Sequence, residues 1–153
     1  MGYRGKVAIL VGSAGAPCHE DRAKGARDVI SKYGDMEIVA IRYDMDSVDL
    51  AHDLAVQILK DCPDLDGIIC CNMSNPVGAA RAVTEMNRGV VIVGMDHDEE
   101  ALRYLDEGVM AFMPTHAMNS RKKVARKRRN TDFRKDFMQV SSVVFKTVNH
   151  HPG

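Results

Sequence analysis

The stretch from residue 90 to residue 100 constrains the fold of this chain more than any other. Four apolar residues in succession, 90–93, lead into Gly94 and then into the acidic residue Asp96. A continuous β-branched run with no polar alternation is typical of a strand that is buried on both faces, as the strands of parallel sheets are. We therefore expect Asp96 to lie at the carboxyl end of a central strand, which is the edge of an open α/β sheet where ligands bind.

Short apolar runs alternate with stretches of helical periodicity along the rest of the chain. The strands are predicted over residues 6–12, 36–43, 65–72, 90–96 and 109–113. Helices are predicted between them over residues 19–33, 75–86 and 99–107. A further helix, between the second and third strands, is predicted to begin with a cap at Asp46 or Ser47. This order, with short connections, predicts a doubly wound, mainly parallel sheet with helices on both faces, which is a three-layer, flavodoxin-like α/β fold.

The sequence also predicts which side chains form the core. The first helix has apolar residues at three- and four-residue spacing, namely Ala23, Ala26, Val29 and Ile30. The second helix is expected to bury a face formed by Leu50, Leu54, Ile58 and Leu59. Two adjacent cysteines, Cys70 and Cys71, fall in the third strand, where neighbouring side chains point to opposite faces. We therefore expect both to be core residues rather than metal ligands.

The charge of the chain is balanced but unevenly distributed. Basic and acidic residues number 21 each, yet residues 120–135 hold nine basic residues and one acidic residue. We predict one folded α/β lobe over residues 1–119, a basic helix or disordered segment over 120–138, and a terminal edge strand and tail over 139–153. Residues 121–129 contain no aromatic side chain that could stack on a base, and charge runs are usually solvated, so we do not expect a nucleic-acid partner.

Neither a membrane span nor an export signal is predicted. No stretch approaches the roughly 18 apolar residues that a membrane helix needs. The first six residues lead directly into a strand, and no signal peptide is visible. As written, the chain is expected to remain in the cytoplasm.

The predicted strand ends carry a set of hydrogen-bonding side chains. These are Ser13 and Arg22 after the first strand, Asp44 and Asp46 after the second, Asn72 after the third, Asp96 after the fourth, and Thr115 and His116 after the fifth. Because the carboxyl ends of parallel strands meet at one edge, we expect these groups to lie close together. A carboxylate that accepts hydrogen bonds and a guanidinium that donates them can bracket vicinal hydroxyl groups. The pattern indicates a site for a sugar or polyol.

Each of these residues has a simpler interpretation. Arg22 could be a solvated surface charge, Asn72 could bind the backbone of the next turn, and Asp96 could cap the following helix. His116 could be a solvated loop residue.

Catalytic motifs are absent from the sequence. There is no dinucleotide-binding glycine motif, no phosphate-binding loop with Lys and Ser or Thr, and no nucleophile elbow. The side chains of Asp96, His97 and Asp98 would diverge because they are adjacent. We expect no catalysis, no cofactor and no metal site.

Four motifs together resemble a known family. They are Arg22-Ala-Lys-Gly25, the run Asp64-Leu65-Asp66-Gly67-Ile68-Ile69, Asn72 six residues before Gly78-Ala79-Ala80-Arg81-Ala82, and Val93-Gly94-Met95-Asp96. This combination, over residues 5–118, resembles the C-terminal lobe of type I periplasmic sugar-binding proteins, which also occurs as the effector-binding domain of lactose-repressor-class regulators.

The resemblance implies a function and a set of partners. It implies non-catalytic binding of a monosaccharide or polyol, as in the solute-binding component of a sugar ABC transporter, with Arg22, Asn72 and Asp96 at ligand-contacting positions. His116 falls where the family usually has Gln or Asn. An N-terminal lobe or a homodimer partner would complete the site, an ABC permease would receive the ligand, and the periplasm or cell surface would be the location. The alternative is the effector-binding lobe of a repressor or a sugar-sensing receptor.

Overall fold

A computed structural model describes residues 3–94 and 99–112 of the chain. Strands and helices alternate within these residues, as predicted. The strands are β1 (Arg4–Val11), β2 (Asp35–Tyr43), β3 (Gly67–Cys70), β4 (Val91–Val93) and β5 (Met110–Phe112). The helices are α1 (Pro17–Ile30), α2 (Val48–Asp61), α3 (Ser74–Glu85) and α4 (Glu99–Asp106).

The five strands form one parallel sheet in the order β2-β1-β3-β4-β5. β1 pairs with β2 on one side and with β3 on the other, so the chain turns back across β1 after β2. This is the flavodoxin-like strand order, and it places a topological switch point between β1 and β3. The predicted doubly wound, parallel α/β fold is confirmed.

Alternate residues of strand β1 belong to two separate cores. Val7, Ile9 and Val11 pack with the buried face of α1, while Ala8 and Leu10 pack with α2, α3 and α4. The sheet therefore has helices on both faces, which gives the three layers expected from the sequence.

The two adjacent cysteines divide between the same two cores. Cys70 belongs to the core on the side of α2 and α3, and Cys71 to the core on the side of α1. Both thiols are buried, and burial raises the pKa of Cys70 and raises the pKa of Cys71 to about 12. The prediction that these are core residues is confirmed.

Helix α1 begins two residues before the predicted start and ends three before the predicted end. Pro17 occupies the first turn of the helix. Backbone N–H groups in this turn have no partner within the helix, so the missing N–H of proline costs no hydrogen bond. Ser31 follows the helix as its C-cap. The buried residues of α1 are the four that the spacing predicted, Ala23, Ala26, Val29 and Ile30.

Helix α2 is capped by Ser47, the second of the two predicted caps. Its side chain accepts a hydrogen bond from the backbone N–H of Leu50 at 3.2 Å. The prediction that Leu50 lies on the buried face is wrong, because Leu50 is 37% exposed. The buried residues are Ala51, Ala55, Ile58 and Leu59.

Close packing between α2 and α3 explains this rotation of the buried face. A Cβ atom on Gly78 would lie 2.6 Å from the Cβ of Ala51, so the two helices approach each other through small residues. Leu50 is the larger and more apolar side chain, which favours its burial in general. The close approach of α3 at Gly78 leaves room only for the small side chain of Ala51.

Strands β3 and β4 are shorter than predicted, and β5 begins one residue later than predicted. Residues 95–98 and everything after residue 112 lie outside the described residues. The predictions for Asp96, for residues 120–138 and for the edge strand after residue 138 therefore remain predictions. No helix in the described part of the chain is long and apolar enough to cross a membrane.

A histidine joins α2 to α3 on the outer surface of the helices. His52 contacts Glu85 with its Nε2 at 2.8 Å and Asp53 with its Nδ1 at 3.0 Å. Hydrogen bonds to these two carboxylates, that to Glu85 first, raise the pKa of His52. The protonated imidazole is therefore favoured in the folded protein.

We predict that His52→Gln destabilises the protein at acidic pH and not at alkaline pH. A raised pKa in the folded state means that the ion pair contributes fully below the unfolded-state pKa, about 6.5 for histidine. The contribution disappears as the pH rises through the raised folded-state value. Because the pair is partly exposed, its loss should lower the free energy of unfolding by about 0.5–1 kcal/mol. Urea unfolding at pH 5.5 and pH 9 measures the difference.

The variant Glu85→Gln serves as the matched control for this prediction. It removes the principal partner and leaves the histidine, so it should reproduce the loss at pH 5.5. An equal effect of His52→Gln at both pH values would show that the side chain acts by packing and not by charge.

Candidate functional site

A cleft of about 300 Å³ lies at the carboxyl edge of the sheet. Its walls come from the first turns of α1, from the loop between β2 and α2, and from the segment that joins β3 to α3. The residues that line it are His19, Arg22, Asp46, Asn72, Met73 and Ser74. The cleft therefore lies at the switch point between β1 and β3, where open α/β sheets bind ligands.

The buried carboxylate of Asp44 connects two of these walls. It accepts hydrogen bonds from Asn72 Nδ2 at 3.3 Å, from Ser74 Oγ at 3.2 Å, from the backbone N–H of Asp46 at 3.0 Å, and from Asn75 Nδ2. Burial raises the pKa of Asp44, while these four donors favour the ionised form. A carboxylate with no exposed surface is tolerated because its lone pairs are used in this way.

Asn72 uses both ends of its side-chain amide within the protein. Its Oδ1 accepts from the backbone N–H of Asn75 at 2.9 Å and lies 3.1 Å from Ser74 Oγ, whose single proton is shared between Asn72 and Asp44. Its Nδ2 donates to Asp46 Oδ1 at 2.6 Å and to Asp44. The interpretation that Asn72 binds the backbone of the next turn is confirmed, so a ligand contact would be additional to this structural role.

Asp46 is held in the wall of the cleft by a strained turn. Met45 and Asp46 have φ angles of 54° and 60°, in the left-handed region that non-glycine residues seldom adopt. Ser13 Oγ donates to Asp46 Oδ2, and this hydrogen bond is the main cause of the lowered pKa of Asp46. Ser13 does not itself line the cleft, so its observed role is to position Asp46.

Arg22 is fixed to the end of β3. Its Nη1 donates to the backbone carbonyl of Cys71 at 3.0 Å, so the interpretation of Arg22 as a freely solvated surface charge is wrong. Its Nε is buried and has no hydrogen-bond partner among the residues that the structure describes. One turn earlier in α1, His19 faces the same cleft, with Nδ1 lying 3.9 Å from Asp46 Oδ1.

The structure thus brings together three of the five predicted site residues. Arg22 and Asn72 line the cleft, and Ser13 supports it through Asp46, while Asp96 and His116 lie outside the described residues. Four further residues had not been singled out, namely His19, Met73, Ser74 and Asn75. The three-residue spacing between His19 and Arg22, which places both on one helix face, was the signal available in the sequence.

The chemistry of the cleft is that of hydrogen bonding. It offers one carboxylate acceptor, a guanidinium donor and an imidazole that can donate or accept. Within residues 3–94 and 99–112, no group of three or more His, Cys, Asp or Glu side chains could hold a metal ion.

Gly12 lies beneath the cleft, where no side chain fits. A Cβ atom there would lie 2.6 Å from His19 Nδ1 and closer still to Asn72 Nδ2 and Asp46 Oδ1. The φ angle of Gly12 is outside the left-handed region, so the requirement for glycine is one of space.

We predict that Gly12→Ala destabilises the protein by about 1–3 kcal/mol, because the methyl group must displace three polar side chains of the site. Gly34→Ala is the control, since a Cβ at Gly34 meets nothing within 4 Å, and its effect should stay within about 1 kcal/mol of zero. Urea unfolding compares the two variants. If both have the same stability, the crowding around Gly12 is not a constraint on the folded state.

Comparison with known proteins places this geometry in a family. A family model described as "Periplasmic binding protein domain" matches residues 1–121. The chain is 32% identical over 114 residues to the xylitol-binding protein of Mycolicibacterium smegmatis, covering 71% of this chain and 32% of that protein. It is 33% identical over 109 residues to the D-allose-binding periplasmic protein of Escherichia coli, covering 69% of this chain and 35% of that protein.

A solved structure agrees with these matches. An ABC transporter periplasmic solute binding protein from Actinobacillus succinogenes, with bound D-allose, superposes with a TM-score of 0.69 at 25% identity. The match covers 99% of this chain and 50% of that one. The chain spans about a third of the length of the two curated relatives above. Because the family model covers most of its residues, the chain belongs to the periplasmic binding protein domain family, with the type I fold of a single lobe.

Proposed function

We propose that this chain is one lobe of a non-catalytic binding protein for a sugar or polyol, acting in uptake with an ABC transporter. The observation that carries the proposal is the convergence of Arg22, Asp46 and Asn72 on one cleft at the switch point of the sheet. Helix α1 and two separate loops supply these groups, and the cleft has the hydrogen-bonding character that a ligand made of hydroxyl groups requires.

A hydroxyl group suits this cleft because it both donates and accepts hydrogen bonds. The carboxylate of Asp46 can accept from one hydroxyl, and the guanidinium of Arg22 can donate to a neighbouring oxygen. The relatives are named for xylitol and D-allose, which are neutral molecules of this kind. We keep Asp96 and His116 as further proposed contacts, at the ends of the fourth and fifth strands.

Binding by this lobe alone should be weak. A pocket that binds tightly usually buries 70–90% of its ligand, whereas a single lobe covers one side. We infer that the other side is covered by a second lobe, from the rest of a longer protein or from a second copy of the chain, with closure about a hinge. An affinity in the millimolar range, about 4 kcal/mol, is expected for the lobe by itself.

The relatives favour transport over the alternative of a repressor effector lobe. Both curated relatives are named as binding proteins, and the solved structure is that of a solute binding protein of an ABC transporter. We propose a periplasmic location for the protein on the same ground.

An NMR titration of the ¹⁵N-labelled chain with xylitol and with D-allose, to tens of millimolar, tests the proposal. Amide shifts should be confined to residues that follow the carboxyl ends of the five strands. Dispersed spectra that do not move with either ligand would count against a sugar-binding lobe, and shifts elsewhere on the surface would contradict the assignment of the cleft.

We predict that Arg22→Gln weakens this binding by about tenfold or more, because a hydrogen bond to a charged group is lost. Arg27→Gln is the matched control, since Arg27 is an exposed arginine on the same helix and lies outside the cleft. Equal affinities for the two variants in the same titration would exclude Arg22 from the ligand contacts.

A further inference from the structure

We propose that Met73 determines the specificity of this cleft by packing against a methyl or methylene group of the ligand, so that the site favours a deoxy sugar over its fully hydroxylated parent. The inference rests on the proposed function and narrows the class of ligand within it. Met73 was not among the residues that the sequence pattern selected, and its assignment comes from the composition of the cleft wall.

Met73 is the apolar member of the cleft lining. The other lining residues in the described part of the chain are polar or charged, namely His19, Arg22, Asp46, Asn72 and Ser74. Met73 is 57% exposed, so a ligand can reach it without rearrangement of the protein. Ligand pockets usually combine a few polar groups, which orient the ligand, with apolar surface that the ligand covers. In the described cleft, only Met73 can supply such surface.

Exposed apolar side chains are concentrated at this edge of the sheet. Among the described residues, the large hydrophobic side chains that are exposed are Tyr43, Met45, Leu50 and Met73. Each of them lies at the end of β2, in the loop or first helical turn that follows it, or in the segment that follows β3. Single apolar residues scattered over a surface are ordinary, but these share one end of the molecule. Met73 is the one of the four that lines the cleft.

The residues on either side of Met73 leave little free polar surface on this wall. Asn72 uses both ends of its amide within the protein, and Ser74 Oγ is shared between Asp44 and Asn72. Met73 precedes α3 and makes no side-chain hydrogen bond to cap the helix. The wall formed by residues 72–74 therefore offers a ligand a thioether side chain rather than free hydrogen-bonding groups.

A hydroxyl group and a methyl group differ in what they lose against this wall. A hydroxyl group that leaves water there finds the sulfur of Met73, which is only a weak acceptor, so the hydroxyl is poorly paired. A methyl or methylene group has no hydrogen bond to lose, and it removes apolar surface of Met73 from water. Because an apolar wall rejects an added hydroxyl group only modestly, we expect a preference for the deoxy ligand of about three- to tenfold.

Titration of the ¹⁵N-labelled chain with D-allose and with each of its monodeoxy derivatives tests the proposal. At least one derivative, in which the deoxy carbon meets Met73, should bind about three- to tenfold more tightly than D-allose. Derivatives that lack a hydroxyl group bound by Arg22 or Asp46 should bind more weakly than D-allose, because a hydrogen bond to a charged group is lost.

Two variants connect the preference to the side chain of Met73. Met73→Gln has a similar length but ends in a polar amide, so the preference for the deoxy derivative should disappear. Met73→Leu keeps an apolar side chain and should keep the preference. Leu50→Gln is the matched control, because it places the same polar side chain at an exposed apolar residue outside the cleft, and it should leave the ratio of affinities unchanged.

A second measurement detects the contact in the unmodified chain and keeps the test decisive if Met73→Gln does not fold. Labelling of the methionine methyl groups with ¹³C makes each of them visible, and Met73→Leu identifies the resonance of Met73. Addition of the most tightly bound deoxy derivative should move this resonance. The resonance of Met36, near the amino end of β2 and so at the opposite edge of the sheet, should keep its position.

The outcomes separate the two proposals. If the unmodified chain shows no shifts with xylitol, with D-allose or with any deoxy derivative, the proposed function fails and the role of Met73 fails with it. If the chain binds but no deoxy derivative binds more tightly than D-allose, if the preference persists in Met73→Gln, or if the Met73 methyl resonance stays unmoved, the role of Met73 is overturned while the sugar-binding function stands. That result is the one expected if Met73 is exposed in order to contact a second lobe.

Discussion

The buried carboxylate of Asp44 is the interaction on which the cleft depends. It has no exposed surface, and its four donors come from the loop after β2, from the segment that joins β3 to α3, and from the start of α3. A buried charge of this kind is stable only while its partners remain in place, and removal of one partner leaves an uncompensated charge. The loop after β2 and the region where β3 leads into α3 are therefore held in fixed relative positions, because the charge of Asp44 needs donors from both.

This fixation extends from Asp44 to the far wall of the cleft. Asn75 accepts hydrogen bonds from the backbone N–H groups of Cys71 and Asn72 at 2.9 and 3.2 Å, which sets the conformation of the chain where β3 ends. The carbonyl of Cys71 then receives the guanidinium of Arg22. Residues from α1, from the β2–α2 loop and from the start of α3 thus belong to one connected network, and a ligand meets groups that are already ordered.

Much of this architecture follows from the sequence, because it depends on periodicity. The apolar runs predicted the parallel sheet, and the spacing in α1 predicted its buried face. The buried face of α2 did not follow, since the choice between Leu50 and Ala51 is made by the close approach of α3 at Gly78. The strand ends predicted that Arg22 and Asn72 would meet, but their partners could not be predicted. Whether Asp44 is solvated or buried under Asn75 depends on how two loops pack in three dimensions.

The strained turn at Met45 and Asp46 has a consequence for how binding energy is used. Left-handed backbone at two non-glycine residues costs on the order of 1 kcal/mol or more for each. That cost is incurred when the chain folds, and it is the same whether or not the cleft is occupied. A ligand therefore does not have to drive the turn into shape, so its affinity is not reduced by local reorganisation. Any conformational change on binding would then fall outside this lobe, which would move as a rigid body.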